Sequence, residues 1–257
     1  MIFCGYFDES YDNDIFTLCC SLSDPVGWGE IERGWKNCLQ AKNKSLRNQG
    51  RRELSRYHAS HANARDHEFE GWGKGERDEL AIQLLGTLSR GRAWLTTVAW
   101  SLPLREFIQQ FNIDGDPLPL CYRESLKFVM LEMVAQLKDA KSKLRQIKPL
   151  KYVLFHERCS YDFAYLEGFN QMMNDPTFDC KELFSTIAPL GWEDCIALQP
   201  ADVIAYEAFK DVLRKFNHKD RRPSLECLLQ SGTFGGRAKQ MTSKNIEEWR
   251  TILRNPV

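Results

Sequence analysis

The sequence has no excess charge of either sign, no long apolar run and no paired-cysteine motif, and each absence removes a class of function. Lysine plus arginine and aspartate plus glutamate number 35 each, so the formal net charge is zero. A protein coated in nucleic acid by bulk electrostatics needs a basic excess. No apolar stretch approaches the roughly 20 residues of a membrane span, and the first residues lack the basic region and cleavage site of a secretory signal, so a cytoplasmic protein is expected. The nine cysteines are an odd number, and none are spaced Cys-x-x-Cys. Reduced thiols are expected, with Cys4, Cys19 and Cys20 as small apolar residues inside strand-like runs, and the missing ligand spacing argues against a zinc site. No repeat, low-complexity tract or linker divides the chain.

What is present describes an ordinary globular protein: 257 residues, 43% hydrophobic and 27% charged, enough to bury the core of one large α/β domain. Ile2 to Phe7 is an apolar run with β-favouring aromatics. It reads as a buried strand ending in a turn at Asp8-Glu9-Ser10. Ile15 to Leu22 is its antiparallel partner. Pro25 opens a helix through Trp28, Ile31, Trp35 and Leu39. A basic loop or ragged helix follows, then an aperiodic unit at Tyr57 to Ala62 and a helix over Arg77 to Leu88. A third strand is expected from Ala93 to Leu102, stopped by Pro103, and a long amphipathic helix from Tyr122 to Leu137. The fourth strand, after Pro149, runs from Tyr152 into His156-Glu157. Phe163 to Met173 is helical, Leu183 to Leu190 a weaker strand, and Gln199 to Phe216 the clearest helix. Short helices are expected around Leu225 to Leu229 and Ile246 to Leu253. A hairpin followed by β-α-β units implies a mixed sheet with helices on its faces. Residues 1–257 read as one domain with an insertion at about residues 40–90.

Three acidic positions stand where elements end or begin: Asp8, with Glu9 beside it, Glu157, and Asp202 in the first turn of the late helix. Strand ends and helix starts on one rim of an α/β sheet are where ligands gather. Carboxylates converging there repel one another unless divalent cations neutralise them, and oxygen ligands suit Mg²⁺ or Mn²⁺. Such ions activate a water against a phosphodiester. Each acid also has a plain structural reading: a solvated turn for Asp8 and Glu9, a surface pair with Arg158 or Lys151 for Glu157, and the helix macrodipole for Asp202. Gln199 is placed to hydrogen-bond a phosphate or a ligated carboxylate, or simply to cap its helix. His58 and His61, three apart, suit a metal or proton relay, or a polar loop.

Two basic segments, Lys42 to Arg56 (with Arg51 and Arg52) and Lys210 to Arg222, read as phosphate-contacting patches or as solvated surface. On the same rim as Asp8 they support a polymer substrate. Trp28 and Trp72 are candidates for a protein partner or homo-oligomer contact, Trp28 more simply for the core.

Phe7-Asp8-Glu9-Ser10, Tyr57-His58-Ala59-Ser60 and Leu198-Gln199-Pro200-Ala201-Asp202-Val203-Ile204-Ala205-Tyr206 resemble the signature segments of the DUF3800 family. The motifs are spread over most of the chain. The resemblance implies a ribonuclease H-like α/β fold with a metal-dependent, nuclease-like acidic centre. Asp8, Glu157 and Asp202 would be ligands, Glu9 an outer or alternative ligand, and His58 a proton-transfer or phosphate-contacting group. The chain departs from the family pattern at Tyr11, where Gly is usual, at Pro200, where an apolar residue is usual, and at His156, where the family tends to carry a carboxylate before the position of Glu157. The expected function is nuclease action on DNA or RNA. The rival is a catalytically degraded ribonuclease H-like module that binds nucleic acid or protein, and a third reading is hydrolysis of a small phosphorylated metabolite.

Overall fold

Two chain reversals after the first strand build the antiparallel start of the sheet around it. The computed structural model describes residues 1–88, 95–143, 150–230 and 234–242; the starts expected at Ala93 and Pro149 and the helix at Ile246 to Leu253 lie outside them. β1 (Ile2–Tyr11) and β2 (Ile15–Ser23) form the antiparallel hairpin, its turn held by Asp12 Oδ1, which accepts from the Asp14 and Ile15 amides at 2.9 and 3.0 Å. β3 (Leu95–Pro103) pairs antiparallel with β2. β4 (Lys151–Glu157) and β5 (Phe184–Leu190) add in parallel on the other side of β1. β6 (Phe234–Gln240) adds in parallel to β3. The result is a six-stranded mixed sheet of order β5-β4-β1-β2-β3-β6. Asp8 and Glu9 therefore lie inside β1, paired with Cys19 and Leu18, rather than in a turn beyond it.

Helices cover both faces, as β2, buried at every position, requires. α1 (Pro25–Asn48) starts at Asp24, whose carboxylate accepts from the Gly27 amide at 2.7 Å. It continues through the first half of the basic segment, because Lys, Arg, Gln and Asn tolerate a helix and Leu46 stays on the buried face. α2 (Ala59–Ala64) and α3 (Lys74–Leu85) follow. Leu54, Tyr57, Phe69, Trp72, Leu80 and Leu84 pack into one cluster with Ile31, Trp35 and Ile204, so much of the stretch at residues 40–90 is core. Trp28 and Trp72 are both buried, which leaves neither as a partner contact.

α4 (Leu104–Phe111), α5 (Leu118–Lys143) and α6 (Asp162–Asn174) cover the opposite face, while α7 (Leu198–Phe216) lies over β1 and β2 beside α1. α8 (Pro223–Gln230) packs on α3 and α7. Side-chain alternation sorts the two cores. Tyr6 and Phe155 stack on the α1/α7 face with Trp28, whereas Phe3, Phe7, Tyr152 and Leu154 join α5 and α6. Close approach needs glycine twice. A Cβ on Gly5 would meet Cys20 Sγ and Leu22 Cδ2 at 2.9 Å, and one on Gly168 would meet the Arg123 carbonyl at 2.8 Å where α5 and α6 touch. No described helix is long and apolar enough to cross a membrane.

Candidate active site

β1 and β4 run parallel, so their C-terminal ends share one rim, the place where open α/β sheets collect ligands. Phe7 stands beside His156. One residue on, by alternation, Asp8 and Glu157 turn to the α1/α7 face, while Glu9 and His156 turn to the α5/α6 face. The two acids adjacent in sequence are thus on opposite sides of the sheet.

At that rim a cleft of about 440 Å³ is reached from both faces: Asp8, Glu157, His58, Asp202 and Lys210 line it, and so do Glu9 and Cys159. Asp8 and Asp202 are each 8% exposed and face each other closely enough to perturb one another. Burial, reinforced by the charges of Glu9, Asp202 and Glu157, pushes the Asp8 carboxyl well above the usual range. Burial also raises Asp202 to about 6, against the pull of the Ala59 amide. Two carboxyls in contact out of water cannot both ionise cheaply, so the pair shares a proton unless a cation replaces it.

Asp202 does not sit in the first turn of α7, where a macrodipole role would place it. Its Oδ2 accepts from the Ala59 amide at 2.8 Å, capping α2 from outside. That bond joins two of the sequence segments singled out by resemblance, although 143 positions separate them. His58 lies between: Nδ1 is 3.0 Å from Ser60 Oγ and 3.9 Å from Asp202 Oδ2. Burial and the neighbouring Arg56 guanidinium hold His58 down to about 4. At neutral pH it is an uncharged imidazole and not the cation of an ion pair. Its ring stacks on His61, which stacks on His67, both at 4.1 Å.

Glu157 pairs with neither Arg158 nor Lys151. Arg56 Nη1 donates to its Oε1 at 3.0 Å, and Lys151 donates instead to the Glu182 carbonyl. Glu9 sits under Tyr122 and Tyr165, whose hydroxyls donate to it. Burial with the charges of Glu157 and Asp202 raises it to about 7 despite the Tyr122 bond. Gln199 is 5% exposed and faces away from the cleft. Its Oε1 accepts from Trp35 Nε1 and the Tyr57 amide, both at 3.1 Å, so the residue ties α1, the segment before α2 and α7 together.

The first basic segment is largely occupied by acids. Lys42 and Arg51 bind Glu76 at 2.9 and 2.8 Å and lie over the Trp72 ring, and Arg47 makes a two-pronged contact with Glu53. Arg52 is exposed and, with Arg56, His58 and His61, borders a smaller cleft of about 150 Å³. In the second segment, Lys215 and Arg221 bind Asp211, and Arg222 lies 3.3 Å from Glu207. Lys210 and Arg158 are the cations that line the carboxylate cleft itself.

Among the described residues, two sets of three metal-type ligands have donor atoms within 4.8 Å of one another: His61, Asp66 and His67, and His156, Cys159 and Asp162. Asp8, Glu157 and Asp202 are not a third; the rim unites Asp8 with Asp202 and leaves Glu157 with Arg56. An α/β sheet with a carboxylate pair in a rim cleft is the class these features define. No family model matches the chain, and no curated protein matches it either.

Proposed function

We propose that the chain is a divalent-metal-dependent nuclease of ribonuclease H-like fold, acting on a phosphodiester of DNA or RNA. The observation that carries the reading is the buried Asp8–Asp202 pair at the shared rim of β1 and β4. The three-stranded antiparallel start, with β4 and β5 added in parallel beside β1, supports the fold assignment, and the DUF3800-like segments converging at this cleft support the class of chemistry. The donor set fits one hard cation: two carboxylates that are crowded without it. Mg²⁺ or Mn²⁺ held by Asp8 and Asp202, with Glu157 once released from Arg56, would supply an activated water and neutralise charge on the phosphodiester.

The chain's own groups have definable tasks. Lys210, half-buried over the Tyr206 and Phe209 rings, and Arg158 bind backbone phosphate from within the cleft. Arg52 and Arg56 extend that contact past His58. A neutral His58 is able to accept a proton. The rival, a binding module of the same fold without turnover, is favoured by the Glu157–Arg56 ion pair, which withholds the third carboxylate.

Asp8→Asn and Asp202→Asn should each abolish Mg²⁺ and Mn²⁺ binding, measured by calorimetry, and cleavage of a DNA and RNA panel, with the circular dichroism spectrum unchanged. Unaltered cleavage in both refutes the site. Ion binding by the unmodified chain without cleavage of any substrate selects the rival. Arg52→Ala should flatten the salt dependence of nucleic-acid binding more than Arg51→Ala, since Arg51 is already paired.

A further inference from the structure

The end of β4 carries a second constellation on the other face of the sheet, outside the carboxylate pair. His156 leaves the strand toward α6, where its ring stacks on Tyr165 at 4.1 Å and is 2% exposed. Three and six residues on, Cys159 and Asp162 turn back to meet it. Imidazole Nδ1 lies 3.6 Å from Asp162 Oδ1, and the Cys159 thiol lies near the same carboxylate. The three donor atoms fall within 4.8 Å of one another.

A turn of this shape needs only the bond from the Cys159 amide to Asp162 Oδ1, 2.9 Å long. The Tyr161 amide also donates to Cys159 Sγ at 3.4 Å and His156 Nδ1 faces the Glu157 carbonyl at 3.0 Å, yet neither contact by itself gathers thiol and imidazole about one carboxylate. A cation that replaces the thiol proton would draw on all three donor atoms at once.

We propose that His156, Cys159 and Asp162 bind Zn²⁺, with a fourth position open to the cleft that Cys159 also lines. Nitrogen, thiolate and carboxylate together select zinc over Mg²⁺, which takes oxygen ligands. Zinc bonds to nitrogen and carboxylate oxygen of about 2.0–2.2 Å at tetrahedral angles place those donors about 3.3–3.5 Å apart, close to the 3.6 Å found between Nδ1 and Oδ1. Binding releases the thiol proton and moves the ring proton from Nδ1, where it faces the Glu157 carbonyl at 3.0 Å, to Nε2. That carbonyl then becomes a neighbouring acceptor for a zinc-bound water. Tyr165, which stacks on His156 and donates to Glu9, orients the ring from behind. The spacing is His-x₂-Cys-x₂-Asp, with no paired cysteines.

The test uses Co²⁺ as a spectroscopic probe on the full chain carrying Cys227→Ser, which removes the exposed thiol. One ion per chain should bind with a thiolate-to-cobalt charge-transfer band that Zn²⁺ displaces. Cys159→Ser should abolish the band, and Asp162→Asn should weaken binding by at least about tenfold. Asp8→Asn should leave the band intact, so this site and the nuclease reading succeed or fail separately. Absence of the band in the parent chain, its persistence at equal affinity in Cys159→Ser, or its loss in Asp8→Asn would each overturn the proposal.

Discussion

Replacing Asp202 by asparagine should make the metal-free protein more stable at neutral and higher pH, the reverse of what removing a buried hydrogen-bonded side chain normally does. Asp202 is raised from the ordinary aspartate value of 3.8 to about 6 by burial. The folded chain therefore holds this proton more tightly than the unfolded one. Its contribution to stability is full below about 3.8 and is lost as pH rises through about 6. Each pH unit of that gap is worth about 1.4 kcal/mol, so the ionised carboxylate costs the fold about 3 kcal/mol. Asparagine keeps an oxygen for the Ala59 amide, so α2 keeps its cap, and Asp8 loses a repelling neighbour. Urea denaturation in a chelator should show the variant equal to the parent at about pH 4 and more stable by up to about 3 kcal/mol at about pH 8. Adding Mg²⁺ or Mn²⁺ should then stabilise the parent alone. A variant less stable at the higher pH, or a difference that does not change with pH, refutes the shared-proton account.

The His58 ring should titrate near 4 in a proton NMR experiment; a midpoint at the ordinary histidine value of 6.5 would show the ring more solvated and farther from Arg56 than described. Gln199→Ala should lower stability by about 2–4 kcal/mol, because two buried donors, Trp35 Nε1 and the Tyr57 amide, lose their acceptor. An unchanged denaturation midpoint would mean that water replaces it. Gly5→Ala should cost about 1–3 kcal/mol through contact with Cys20, Leu22 and Leu154, and a neutral result in the same assay would show that the sheet centre yields.

The hairpin, the parallel strand at Tyr152 to Phe155 and the late helix from Gln199 were legible because each carries its own apolar pattern. β6 was not. Phe-Gly-Gly-Arg-Ala-Lys-Gln holds one large apolar residue, and pairing with β3 makes it a strand. α4 was missed although Leu104, Phe107, Ile108 and Phe111 are helically spaced, because Pro103 drew attention as a strand stop. The expectation was that Asp8, Glu157 and Asp202 converge on one rim; all three line the same cleft, but Glu157 is paired with Arg56. The separation of Asp8 from Glu9 was readable in principle, since neighbours in a strand face opposite ways, but ending the strand at Phe7 hid it. The Arg56–Glu157 ion pair spans 101 positions, and no local pattern announces such a contact.

The bond from the Ala59 amide to Asp202 gives one oxygen two claimants. A cation drawing on that carboxylate weakens the anchor of a six-residue helix that has no side-chain cap of its own. Occupancy of the cleft and the order of α2 are then thermodynamically linked. Hydrogen exchange at Ala59 becomes an internal gauge of whether the carboxylates are engaged, readable before any substrate is known.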